Sequence, residues 1–155
     1  MPQPNSFLDL AGQWLLDSGI QTATGGVARY YCSDAGTNRR VSTEITGYAL
    51  SAFVFLHGHT SRSCYLEAAR RAGQFLCSAA WSAAWAVFPF EHAEDGDRAP
   101  ERAYFFDSGI IARGLLALWR ATGEPEWLGA AERTVDSMAR DFGELDAGRR
   151  VLGCE

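Results

Sequence analysis

Two carboxylates stand out by where they fall. Asp107 closes the aromatic run Tyr104-Phe105-Phe106 and is followed by Ser108-Gly109, while Glu44 sits in the stretch Ser42-Thr43-Glu44-Ile45-Thr46-Gly47. Each stands just ahead of a long apolar segment. A pair of carboxyl groups can share the work of cleaving a glycosidic bond. One donates a proton to the leaving oxygen, and the other activates water or stabilises the oxocarbenium-like charge. The plain alternative for Asp107 is a helix N-cap, worth about 0.5–2 kcal/mol to its helix. Capping suits Glu44 poorly, because glutamate is not a preferred cap and Thr43 and Thr46 are better placed for it. Glu44 still gains from the positive end of a helix, or from pairing with a nearby arginine.

Other candidates surround this pair. Tyr30, Tyr48 and Tyr104 combine an aromatic face with a hydroxyl, which suits sugar recognition as well as packing. Trp85 and Phe90 offer further stacking faces. Arg29 and Arg113 can pair with a uronic carboxylate or with carboxylates of the protein itself. Glu91 and His92 place an acid beside a base in a polar rim. His57-Gly58-His59 has the look of a metal pair, but it falls at the far end of its helix, so no metal is expected there.

What positions these residues is an internal repeat. Residues 45–76 align without a gap on residues 107–138 at a constant offset of 62, matching Gly47 with Gly109, Leu56 with Leu118, Thr60 with Thr122 and Leu66 with Leu128. A fixed period of this length marks stacked supersecondary units. Each unit reads as a helical hairpin. Helices are expected at about 6–18, 45–59, 63–78, 108–121 and 125–141. Ser63 is the expected cap of the third, Gly123 ends the fourth, and Pro125 opens the fifth. The first helix of each pair is apolar nearly all round, so it should be the inner one. Two turn-rich stretches, 25–42 and 85–106, read as short β-hairpin excursions that feed the inner helices. The expected class is all-α, with the chain 1–155 forming one domain.

The phrases GGVARYY, TEITGY, YLEAARRAGQFL, FPFEH and YFFDSGIIARGLLALWRATGEPEWL resemble the six-hairpin (α/α) toroid superfamily. That group includes glycoside hydrolases, unsaturated glucuronyl hydrolases and N-acylglucosamine epimerases. The resemblance runs from about residue 5 to residue 142. It implies a carbohydrate-active protein whose inner-helix N-termini and excursions line one cavity, with Asp107 and Glu44 as a hydrolase's carboxylates. It also leaves open a sugar epimerase using His92, or a non-catalytic helical-repeat module that binds a partner. A closed toroid needs six hairpins, about 370 residues at this period. This chain supplies about two and a half, so it reads as an N-terminal portion whose uncovered flank favours self-association.

Composition narrows the field. The net charge is -5, and all 14 basic residues are arginine without any lysine-rich run, which argues against a nucleic-acid partner. No apolar stretch is long enough to span a bilayer, and no secretory leader pattern opens the sequence. Cys32, Cys64, Cys77 and Cys154 show no metal-ligand spacing. Reduced thiols in a cytoplasmic protein are expected. No cofactor motif is present: the sequence lacks G-x-G-x-x-G, P-loop, G-x-S-x-G and H-E-x-x-H.

Overall fold

The computed structural model describes residues 7–92 and 102–142. Five α-helices and one two-stranded antiparallel sheet make up these parts: α1 Phe7–Asp17, β1 Val27–Cys32, β2 Thr37–Ser42, α2 Thr43–Thr60, α3 Ser63–Phe75, α4 Phe105–Thr122 and α5 Pro125–Phe142. A five-residue π-helical turn, Leu76–Ala80, extends α3.

Local chemistry sets most boundaries. The Ser42 hydroxyl accepts from the Ile45 amide and caps α2. That helix stops at Ser61, which takes the left-handed conformation and donates its amide to the His57 carbonyl. Gly123 does the same for α4 at φ +72°, where a side chain would be strained. Pro125 is the first residue of α5, a position whose amide needs no helical partner. Ser63 does not cap α3: it is the first helical residue, after an uncapped Arg62.

α2 and α4 form one layer, and α3 and α5 form the other, with a core of Leu50, Phe53, Leu56, Tyr65, Phe75, Leu76, Ile111, Leu115 and Leu118 between them. The α2–α4 seam is tight because it is lined by glycine. A Cβ on Gly47 would stand 3.0 Å from the Ile111 Cα, and one on Gly114 would stand 3.2 Å from Leu50. Contact advances in the same direction along both helices, so they run parallel and their N-termini open on the same side.

The first excursion is the expected hairpin, pairing Val27 with Ser42 through to Cys32 with Thr37. The second differs. Its described residues form isolated bridges, Ser82 to Val87 and Ser42 to Glu91, with no ladder. Its polar tip, 93–101, lies outside the described residues. The aromatic run before Asp107 reads as strand by propensity, yet Phe105 and Phe106 already belong to α4. Phe105 packs edge-on against Phe142 at the end of α5, which holds this first turn in place.

Candidate functional site

The N-terminal ends of α2 and α4 bring Glu44 and Asp107 to one side of the seam. Glu44 is in the first turn of α2 and half-buried. Asp107 is in the first turn of α4 and only 5% exposed. Asp107 is not the cap of its helix. That position belongs to Tyr104, whose carbonyl accepts from the Ser108 amide, and no side chain caps it. Because α4 begins two residues before Asp107, its carboxyl is directed along the face that carries Ile111 and Gly114, toward α2.

This placement leaves the group electrostatically uncomfortable. Oδ2 of Asp107 is buried without a hydrogen-bond partner. Burial pushes the carboxyl up to about 6, and the negative charge of Glu44 adds to the rise. The charge of Arg29 and the residue's own backbone act the other way. A carboxyl that holds its proton to near neutrality is suited to donate one.

Arg29 comes from β1 and is fixed at several points. Its guanidinium donates to Glu91 Oε1 at 2.9 Å and lies 4.3 Å over the Phe90 ring. Phe90 in turn meets the Tyr104 ring edge-on at 5.3 Å. The strand register sets Arg29 opposite Arg40. Two like charges across a strand pair repel, and Glu91 resolves this by accepting from Arg40 as well, at 2.7 Å. Burial alone would raise the Glu91 carboxyl, but the hydrogen bonds from Arg40 and Arg29 outweigh it and hold the group below its ordinary value. Glu91 therefore stays ionised and acts as an anchor for two arginines.

The remaining sequence candidates separate into three groups. Tyr48 is exposed on α2, and Arg113 of α4 sits 6.0 Å over its ring, so both lie on the open face of the seam. Tyr30 is exposed on the hairpin, and Trp85 is exposed near the end of α5, where its carbonyl accepts from Arg140. His92 packs its ring edge-on against Phe75 and donates its amide to the Val41 carbonyl, which makes it part of the wall. Among the described residues no group of three or more His, Cys, Asp or Glu side chains is arranged to hold a metal ion. His57 faces the Arg62 carbonyl and His59 stacks on Phe55.

Sequence reasoning missed Arg40, and it offered Thr43 or Thr46 as the cap of α2, a place that Ser42 takes while both threonines lie inside the helix and bond elsewhere. Thr43 donates to the Pro89 carbonyl at 2.7 Å, while Thr46 accepts from the Val27 amide and donates to the Ser42 carbonyl. These bonds join both excursions to the start of α2. Strand alternation could have revealed Arg40, since it faces Arg29 across the hairpin.

No protein-family model matches the sequence, and no curated protein matches it. A solved polysaccharide lyase is similar in fold, with a TM-score of 0.65 at 14% identity. The likeness covers 90% of this chain and 22% of that chain. At this identity the similarity is one of fold. No described helix is long and apolar enough to cross a membrane.

Proposed function

We propose that this chain forms one wall of a carbohydrate-active site that hydrolyses a glycosidic bond. Asp107 acts as the proton donor to the leaving oxygen, and Glu44 is the partner carboxyl group that activates water or stabilises positive charge on the sugar. The observation that carries the reading is the Asp107 carboxyl: buried, unpartnered at Oδ2 and pushed up to about 6 beside a second carboxylate. Structural carboxylates are normally satisfied by donors, as Glu91 is here. Tyr48, Tyr30 and Phe90 supply ring faces for stacking, and Arg29 and Arg113 supply guanidinium groups for acidic substituents. The polysaccharide lyase of similar fold supports a polysaccharide as the substrate class.

That neighbour also favours a second reading, in which the same wall serves a β-elimination. The two leave different products. Hydrolysis gives saturated fragments with new reducing ends, whereas elimination gives an unsaturated sugar end that absorbs ultraviolet light. The test is to incubate the chain with neutral and uronic polysaccharides and follow reducing ends and absorbance together, beside Asp107→Asn. Hydrolysis predicts reducing ends without absorbance, lost in the variant. The reading is overturned if no polysaccharide is cleaved and no oligosaccharide raises the melting temperature.

A further inference from the structure

Arg29 and Glu91 form an ion pair between the two excursions, and they stand 62 residues apart, the period of the repeat. The same interval separates Val27 from Pro89, each two residues ahead of its half of the pair. Matching points of two successive excursions therefore converge on one place. The start of α2 receives both of them.

Two hydroxyls make the connection. Thr46 is fully buried, and its Oγ1 accepts from the Val27 amide at 2.9 Å while donating to the Ser42 carbonyl at 2.7 Å. Val27 pairs with Ser42 at the base of the hairpin, so one hydroxyl ties the end of the ladder to the helix. Thr43 is also fully buried and donates to the Pro89 carbonyl at 2.7 Å. Proline has no amide to offer, so its carbonyl is the point that is held. α2 already has its cap in Ser42. The two threonine hydroxyls therefore serve the excursions, and valine would fill the same space without making either bond.

What these bonds fix is the position of charge. Strand alternation sets Arg29 on the same face as Val27, which packs in the core. Arg29 reaches Glu91 Oε1 at 2.9 Å and lies 4.3 Å over the Phe90 ring, and both of these residues follow directly on Pro89. Glu44 belongs to the same turn of α2 as the two threonines. Among the described residues, the charged groups that act on the Asp107 carboxyl are Glu44 from α2 and Arg29 from β1. Arg113 of α4 lies over the Tyr48 ring, and Arg140 in the last turn of α5 is taken up by Asp141.

We propose that Thr46 and Thr43 are positioning residues of the candidate site. Their hydroxyls fasten β1 and residues 89–91 to the start of α2, which holds the Arg29 guanidinium in a set place relative to Asp107 and Glu44. Their purpose rests on the function proposed above, but their action on Asp107 needs no substrate.

The test is a carbon-detected NMR titration of the Asp107 carboxyl in the full chain. Thr46→Val and Thr43→Val should each move its midpoint to higher pH, because a loosened Arg29 favours the ionised form less. Thr46→Ser and Thr43→Ser keep the hydroxyl and should titrate as the native chain does. In an Arg29→Gln background neither valine variant should move the midpoint further, since the path through Arg29 is already cut. Leu118→Val, three turns along α4 from Asp107, is the control for lost stability and should leave the midpoint in place. The proposal is overturned if the valine variants titrate as the native chain does, if their shift persists without Arg29, or if Leu118→Val shifts the midpoint equally. Should one valine variant fail to fold, the other decides. Absence of cleavage by the native chain counts against the proposed function alone.

Discussion

Gly114 of α4 rests directly against the Gly47 carbonyl of α2: a Cβ on Gly114 would stand 2.8 Å from that oxygen. The obstacle is backbone, which cannot swing aside as a side chain can. This contact also sets the candidate site, since Glu44 lies one turn before Gly47 and Asp107 two turns before Gly114. Gly114→Ala is therefore expected to force the two helices apart. The cost should be about 1–3 kcal/mol, as for other overpacked interiors. Urea denaturation measures it directly. Gly58→Ala is the control, with open space around its Cβ direction, and it should be neutral or stabilising.

The Asp107 carboxyl makes stability depend on pH in an unusual direction. Its folded value, about 6, is above that of an unfolded aspartate at about 4. Between these values the folded chain binds more protons than the unfolded one. Asp107 should therefore cause stability to fall as pH rises from about 4 to 6, and then level off. The shift corresponds to at most about 3 kcal/mol. Asp107→Asn should remove this slope and stabilise the protein at neutral pH. Thermal melts across that range test it, and a variant with an unchanged slope would reject the assignment.

Glu91 acts in the opposite sense. Its folded carboxyl is held below the ordinary value by Arg40 and Arg29. Its contribution is present at neutral pH and is lost as acid drives pH down through the folded value. Glu91→Gln keeps the shape but removes the carboxylate charge to which both arginines are hydrogen-bonded. About 1–3 kcal/mol should be lost at neutral pH, with less lost in acid. Arg40 should be released furthest, because it holds φ +54° without being glycine. Loss of the Arg40 contact is checked by whether Arg40→Gly is tolerated better than Arg29→Gly.

The repeat made the helices legible, because one-faced and all-round apolar segments alternate at a fixed offset. Gly123 and Pro125 fixed a helix end and a helix start through backbone chemistry that no tertiary contact overrides. The start of α4 was not legible. Tyr104, Phe105 and Phe106 are strand formers by propensity, yet only Tyr104 stays extended, while Phe105 and Phe106 open the helix and Phe105 packs on Phe142. That shift of register also decides what Asp107 does, turning an apparent cap into a buried, unpartnered acid. Glu91 read as a rim residue beside His92, because nothing local shows that two arginines on a distant hairpin converge on it.

The coupling between Glu44 and Asp107 gives the most specific test of the candidate site. Removing the Glu44 charge takes away one of the two influences that raise Asp107. Glu44→Gln should lower the Asp107 value, with the remaining rise due to burial. Arg29→Gln should raise it, because the positive charge now favours the ionised form. Carbon-detected NMR titration of the aspartate carboxyls reads both shifts without requiring activity. If the chain cleaves a polysaccharide with Asp107 as proton donor, the rate should fall as pH rises through about 6. The limb should then move to higher pH in Arg29→Gln. An NMR shift without movement of the kinetic limb would leave the two carboxylates paired but assign the proton donor elsewhere.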